Sequence, residues 1–340
     1  MRYLLTGGAG FIGCNYVDRL LARGEDVVVF DNLSRPGIRA NVEWLRARHG
    51  ERLRLVVGDV ANAEQVAAAA TDVDVIVHLA GQTAVTTSVS DPRADFNSNA
   101  LGTLNVLEAA RRRAPRPIVL YASTNKVYGP MSDVAVREEP TRYAYRDLPF
   151  GVAEDQPLDF HSPYGCSKGA GDQYVRDYAR IFDVPTVVLR QSCIYGRQQV
   201  GLEDQGWVAW FIASVLRGRP VSVCGNGKQV RDLLFIDDLL DAYDLAVARI
   251  DSVAGEVFNV GGGPERTMSI WAEFAPILER LVGRTTEARY GDWRPGDQRI
   301  YVSDIRKAAA ALGWLPKITV EDGIRRLHDW TLANLERLGT

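Results

Sequence analysis

The sequence predicts an α/β fold: a doubly wound parallel sheet with helices on both faces, then a smaller mixed α/β C-terminal domain. Three observations carry that expectation. Short, nearly continuous Val/Ile/Leu runs recur through the first half of the chain with helix-like segments between them. Strands buried on both faces read this way, whereas half-solvated antiparallel strands alternate apolar and polar residues. A glycine-rich turn joins the first run to the first helical segment, and from about residue 191 the alternation breaks into Gly-rich loops between helices.

The predicted strands are "YLLT" (3–6), "DVVVF" (26–30), "LRLVVG" (53–58), "VDVIVHLA" (73–80), "PIVLYAS" (117–123) and "PTVVLR" (185–190). Helical patterns fall at 11–23, 101–113 and 165–182, and later near 206–217, 236–249, 268–282, 304–312 and 320–336. A length of 340 residues suits two domains. The division expected is 1–190 and 191–340, with the 236–249 helix packing back onto the first.

Composition excludes several classes. Hydrophobic residues make up 46% and charged residues 24%, ordinary for a globular protein with a full core. A net charge of −3 supplies no basic field, so neither nucleic acid nor a membrane surface is an expected partner. No apolar run approaches membrane-spanning length, and a strand-like "RYLLTGGAGFIG" starts at once, so a cytoplasmic protein is the default expectation. The cysteines at 14, 166, 193 and 224 are scattered without a C-x-x-C pair, which suggests no disulfide framework and no metal site. Of 40 basic residues only five are lysines (126, 168, 228, 307 and 317), so a lysine is mildly informative.

"TGGAGFIG" places Gly7, Gly10 and Gly13 after a strand, with Phe11 and Ile12 opening a helix. Glycines there let the backbone turn sharply and approach a pyrophosphate, whose charge meets the helix N-terminus. Asp31 ends the second strand, with Asn32 beside it. A carboxylate at that place accepts the ribose hydroxyls of an adenosine and repels a 2′-phosphate, which favours NAD over NADP; Arg35 weighs the other way. Asp59 and Val60, after the third strand, are expected beside the adenine. Leu79, Ala80 and Gln82 of "HLAGQ" are expected beside the middle of the cofactor, and Asn99 completes the set.

"YGCSK" puts Tyr164 and Lys168 one turn apart on one helix face. A free tyrosine is a poor base at neutral pH; a neighbouring ammonium and a positive nicotinamide ring favour its phenolate. Thr124, in "STNKVYG" (123–129), holds the reacting hydroxyl, and Lys168 also grips the nicotinamide ribose. Without a ligand, the same residues read as a surface helix with a snorkelling lysine.

The glycine loop, Asp31, "STNKVYG", "YGCSK" and "GNGKQVRDLLFIDDLLDAY" (225–243) together resemble the extended short-chain dehydrogenase/reductases that act on nucleotide-sugars. The resemblance runs from residue 1 to about 335. It implies a Rossmann-type NAD-binding domain and a substrate-binding C-terminal domain. It implies Thr124, Tyr164 and Lys168 as the catalytic residues, and Arg231 as the ligand of the substrate's diphosphate. In "RPGDQR" (294–299) it implicates Arg294 and Asp297 in a second phosphate or ribose contact. Ser88, Ser123, Asn125, Lys126, Ser192, Gln205 and Trp207 complete the implied substrate contacts. The insertion "TRYAYRDLP" (141–149), "LDFHSPYGCSKGAGDQY" (158–174) and "DQGWVAWF" (204–211) are similar to a subgroup that inverts C2 of a CDP-linked sugar by oxidation and re-reduction. Relatives commonly read Y-G-x-R-Q where this chain reads "YGRQQ" (195–199), so Arg197 and Gln198 leave the nucleotide and sugar open. Relatives also pair the segments 99–112 and 169–182 into a two-fold four-helix bundle, which implies a homodimer.

The stretch after Thr124 narrows the chemistry. Family dehydratases carry an acidic pair there, because eliminating water needs one acid and one base. Asn125 cannot transfer a proton and Lys126 is normally charged. An NAD-dependent nucleotide-sugar epimerase is the leading expectation. A 4-epimerase, a decarboxylase or a reductase are alternatives, as is a non-catalytic dinucleotide sensor, which would not need the intact Thr-Tyr-Lys set.

Overall fold

The six apolar runs of the first half pair into a single sheet. The computed structural model describes residues 1–293 and 298–338. Its main sheet has seven strands, in the order Val257–Val260, Thr186–Gln191, Ile118–Thr124, Val75–His78, Arg2–Thr6, Asp26–Asp31 and Arg54–Val57. The pairings from Arg54–Val57 across to Ile118–Thr124 are parallel. The seventh strand, Val257–Val260, is an addition to those expected; its "VFNV" is too short a run to stand out among the surrounding loops.

Chain order reverses beside Arg2–Thr6, which has Asp26–Asp31 on one side and Val75–His78 on the other. In such sheets ligands bind beyond the carboxyl ends of the strands at the reversal. The register sets those ends level: Thr6 lies opposite Phe30 and His78, and His78 opposite Tyr121. Gly7, Asp31, Asp59, Leu79 and Thr124 all follow or close these strand ends.

Helices Phe11–Ala22 and Ile38–His49 pack together, as do Ala63–Ala69, Gly102–Arg111 and Ser162–Phe182. The sheet core between strands and helices is aliphatic, with Leu4, Val28, Ile76, Val106, Leu107, Val119 and Val188 all buried. The helix Ser162–Phe182 starts three residues ahead of its expected position, because Ser162 accepts from the Gly165 amide at 3.2 Å and Pro163 suits a first turn.

Two compact units emerge: 1–127 with 162–190 and 242–258, and 128–161 with 191–241 and 259–340. Relative to the expected linear division, 128–161 groups with the later unit and 242–258 with the earlier one. Within the first unit, Asp244 accepts from the Tyr16 hydroxyl at 3.0 Å and from Arg19 at 3.1 Å, fixing the end of helix Ile236–Ala248 on helix Phe11–Ala22.

The second unit is mixed. Val230–Phe235 pairs in parallel with Cys193–Tyr195 and Ile300–Tyr301 and antiparallel with Thr267–Ser269. The insertion supplies Tyr143–Tyr145, paired antiparallel with Val136–Glu138, and its Tyr143 is buried with Val230, Ile300 and Val302. Aromatic rings fill the space between helices Trp207–Leu216 and Phe274–Val282, Trp207 meeting Phe211 and Phe274 edge-on at 5.6 and 5.2 Å. The helix expected at 268–282 begins only at Phe274. Ser269 and Glu273 exchange reciprocal bonds of 2.9 Å that close a turn first. No helix among the described residues is long and apolar enough to cross a membrane.

Candidate active site

The first strand runs directly into the glycine loop. Gly7 has φ +68°, and a Cβ there would lie 2.6 Å from the Ala80 amide nitrogen. A Cβ on Gly13 would lie 2.5 Å from the Gly7 carbonyl oxygen and 2.6 Å from Gly8 Cα, so helix and loop approach too closely for any side chain. Gly10 precedes helix Phe11–Ala22, whose first turn has no side-chain cap. Its leading N–H groups thus face outward for an anion. Phe11 and Ile12 are half-buried in that turn.

Asp31 anchors the loop from the neighbouring strand. One carboxylate oxygen accepts from the Ala9 amide at 3.1 Å and the other from Leu33 at 2.9 Å. Burial raises its pKa, while those two amides and Arg35 oppose the shift. Asn32 donates to Asp59 at 3.2 Å, Asp59 accepts from the Ala61 amide at 2.9 Å, and the Val60 carbonyl accepts from Asn105 at 2.9 Å. These contacts bring the second and third strand ends together beside the loop. Leu79 donates its amide to the Thr6 carbonyl at 3.0 Å and Ala80 to the Thr6 hydroxyl at 3.3 Å.

Tyr164 is buried in the first turn of helix Ser162–Phe182, and the nearby Thr124 hydroxyl favours its ionised form. Burial raises the phenol above its ordinary pKa, with Thr124 opposing. The net shift is upward, where the sequence reading expects a neighbouring ammonium together with a bound nicotinamide ring to bring it down. Lys168 donates Nζ to the Ala122 carbonyl at 2.6 Å and lies 4.3 Å from the Tyr121 ring centre. Desolvation brings Lys168 down to about 7, against the opposing charges of Asp172 and Asp95.

Asn125 and Lys126 form the turn Asn125–Tyr128 after the strand, and Thr124 accepts from the Lys126 amide at 3.2 Å. Ser123 gives its hydroxyl to Asp172 at 2.7 Å, and Ser88 bonds the carbonyl of Val85 at 2.7 Å. Both hydroxyls expected on substrate are therefore engaged inside the protein.

Within the second unit, Ser192 bonds the buried Asp232 carboxylate, and Arg231, the next residue along, donates to the Val230 carbonyl at 2.7 Å. Gln205 closes a tight turn with Leu202. Arg197 pairs with Asp237 at 2.8 Å, and Gln198 is buried against Arg337. Arg294 and Asp297 lie outside the described residues.

Four residues that reasoning from sequence passed over converge beside the Tyr164–Lys168 turn: His78, Asp95, Asp172 and Arg190, all buried. Their signal was faint. Asp172 follows Lys168 by one turn in "SKGAGD", where Gly171 marks close approach: its Cβ would lie 2.4 Å from the Tyr121 hydroxyl.

Residues 3–261 match the NAD dependent epimerase/dehydratase family. This chain belongs to that family. It is the family that the resemblance to extended short-chain dehydrogenase/reductases pointed to. A CDP-paratose 2-epimerase of Salmonella typhi is 43% identical to this family member over 338 residues, covering 97% of this chain and 99% of the relative. A UDP-glucuronic acid 4-epimerase of Bacillus cereus, solved with UDP-glucuronic acid and NAD, superposes with a TM-score of 0.84. It is 27% identical and covers 99% of this chain and 100% of that one. A dTDP-glucose 4,6-dehydratase of Streptomyces venezuelae, solved with NAD and TYD, gives 0.84 at 30% identity, with 98% of each chain covered.

The cofactor of this epimerase/dehydratase family member is NAD, and its residues fit one. The uncapped helix start and the side-chain-free loop suit a pyrophosphate. Gln82 Oε1 and Asn99 Oδ1 are buried acceptors without a hydrogen-bond partner among the described residues. Asn99 turns its amide nitrogen to Asp95 at 3.0 Å, which fixes the oxygen on the opposite side, against Gly81. Ribose hydroxyls and a carboxamide are the donors that such orphaned acceptors require.

Proposed function

We propose that this enzyme inverts C2 of a CDP-linked sugar, interconverting epimers of the CDP-paratose and CDP-tyvelose kind through a keto intermediate. The observation that carries it is Thr124 favouring the ionised form of the buried Tyr164 phenol, followed by an amide at Asn125 where elimination chemistry needs a carboxyl group. The choice of C2 and of CDP rests on the 43% identity to a CDP-paratose 2-epimerase.

Bound NAD, held by the glycine loop and Asp31, would supply a hydride acceptor and donor for the carbinol carbon, so that a turnover would be redox-neutral. The protein handles the proton. Tyr164 takes it from the substrate hydroxyl as the carbonyl forms and gives it back as the carbonyl is reduced. Thr124 orients the phenol oxygen, and the Lys168 ammonium favours the phenolate. Gly7, Gly10, Gly13, Asp31, Asn32, Asp59, Val60, Leu79, Ala80, Gln82 and Asn99 hold the cofactor. Arg231 holds the diphosphate, with Ser192, Gln205 and Trp207 near the sugar nucleotide. Asn125 and Lys126 can offer hydrogen bonds to the sugar, but no general acid–base pair.

A homodimer through the segments 99–112 and 169–182 completes the reading. Support comes from apolar side chains left exposed on the 162–182 helix, Tyr174 at 50% and Ile181 at 63%, and at the end of the short helix Pro92–Phe96, Phe96 at 57%. A concentration-independent monomer mass in sedimentation would reject it.

The reaction is tested by offering purified protein CDP-, UDP-, GDP- and dTDP-sugars and assigning products by NMR. The expected result is a C2 epimer from a CDP-sugar. A C4 epimer from a UDP-sugar, with the CDP-sugars untouched, overturns the assignment while leaving the family membership intact.

A further inference from the structure

Lys168 is a cation held inside the protein, and every element packed around it brings an identifiable group. On its own helix Asp172 stands one turn ahead and Tyr164 one turn behind. The strand Ile118–Thr124 brings the Tyr121 ring and the Ala122 carbonyl. The strand Val75–His78 brings His78, whose proton position follows from its partners. The Thr103 hydroxyl donates to the Asn99 carbonyl at 2.5 Å, so it accepts from His78 Nε2 at 3.0 Å, and Nδ1 takes the Thr6 hydroxyl at 2.7 Å. That imidazole is neutral, held down to about 3 by burial and by Lys168. The short helix Pro92–Phe96 brings Asp95.

Two carboxylates on the surrounding elements favour the ammonium, and they are not equivalent. Asp172 is committed: Arg190 takes both of its oxygens, at 2.9 and 3.0 Å, and Ser123 a third bond. Deleting it would strand a buried guanidinium and confound any reading of its effect on Lys168. Asp95 is 1% exposed, and its hydrogen-bond partners are the neutral Asn99 amide and the Ser167 hydroxyl. Ser167 adjoins Lys168, so the carboxylate is tied to the same helical turn that carries the ammonium. An unneutralised carboxylate in a dry site acts strongly on a nearby cation, because little solvent screens the two.

We propose that Asp95 is a positioning residue of this enzyme: anchored on Ser167 and Asn99, its carboxylate is the counter-charge that keeps Lys168 an ammonium and so keeps Tyr164 competent. The proposal rests on reading Tyr164 and Lys168 as the proton-handling pair. The sign of the effect follows directly. Removing the negative charge makes the ammonium easier to deprotonate, so its midpoint moves to lower pH and any loss of activity on the alkaline side begins earlier.

Five lysines make the midpoint readable without an assay. Full-length protein labelled with 13C at lysine Cε gives five resonances, with Lys168 assigned by its absence in Lys168→Met. In Asp95→Asn the Lys168 midpoint should fall by about one pH unit or more, a tenfold change in the proton equilibrium. The alkaline limb of kcat/KM should move the same way. In Ser167→Ala, which removes the tether but keeps the charge, the midpoint should stay within about half a unit of the wild type. An Asp95→Asn midpoint shifted by less than about half a unit overturns the proposal, as does a uniform loss of activity at every pH with both limbs in place. Asp95→Ser replaces Asn if the latter does not fold. Failure of both to fold at neutral pH also overturns it, since a charge that only tunes Lys168 is dispensable for folding. With wild-type epimerisation intact, these failures refute the role of Asp95 and leave the assigned reaction standing.

Discussion

Arg190 and Asp172 form a two-pronged ion pair, Nε to Oδ2 at 2.9 Å and Nη2 to Oδ1 at 3.0 Å, with the side chains 2% and 0% exposed. The pair joins the end of one sheet strand to the helix that carries Tyr164 and Lys168, and Ser123 joins it from the next strand. Removing one partner of such a pair leaves an uncompensated buried charge, which costs about 3–5 kcal/mol. Arg190→Met should lose that much stability in urea unfolding, and Arg190→Met with Asp172→Leu should recover more than half of it. A single-variant loss below about 1 kcal/mol would mean that water reaches the carboxylate.

The glycine loop separates a folding role from a binding role. Gly13→Ala forces a methyl against two backbone atoms at 2.5 and 2.6 Å, neither of which can rotate away. Overpacking of that kind costs about 1–3 kcal/mol, and the melting temperature of the cofactor-free protein should drop by roughly 3–10 °C. Gly10→Ala meets only the Gly7 carbonyl oxygen, at 3.2 Å, so that melting temperature should stay within about 2 °C. Its methyl instead occupies the outer side of the loop, and affinity for NAD should fall about tenfold or more. Equal melting losses with unchanged NAD affinity would remove the pyrophosphate from this loop.

Tyr164→Phe keeps the buried ring and deletes the ionisable oxygen, whose charged form Thr124 favours. Turnover should fall by ~10²-fold or more while NAD remains bound, since general acid–base assistance is worth that much. Near-normal kcat would assign the proton to another group.

The sheet was legible because strands buried on both faces leave unbroken apolar runs. The short "VFNV" strand and the hairpin around Tyr143 were not, since each depends on neighbours far away in sequence. At the site, what could be read were features that backbone geometry imposes locally: glycines that clash if given a Cβ, and Tyr164 and Lys168 spaced one helical turn apart. Asp95, Asp172 and Arg190 were hidden. In sequence a buried charge looks like a surface charge, and its meaning comes from partners such as Ser167, 72 residues from Asp95. Arg197 shows the converse, since the departure in "YGRQQ" becomes an ion pair with Asp237. The upward push of burial on Tyr164 was hidden for a related reason, because desolvation depends on packing that no motif displays.

The carbon-bound hydrogen at the inverted centre distinguishes two routes to the same product. Oxidation followed by reduction moves that hydrogen to the cofactor and back as a C–H bond that does not exchange with water. Deprotonation to an enolate moves it as a proton, which solvent replaces, and it needs a base beside the carbon besides the one at the hydroxyl. The turn after Thr124 offers an amide at Asn125 and an amine at Lys126, with no carboxylate before Tyr128. Tyr164, the remaining acid–base group of the set, serves the oxygen. Epimerisation run in deuterium oxide should therefore yield product without carbon-bound deuterium, read by NMR and mass spectrometry. Deuterium at the inverted centre would replace the redox route with an enolate. Deuterium at C5 or C6 of a 4-keto-6-deoxy product would instead show elimination of water, with a side chain outside this turn supplying the acid.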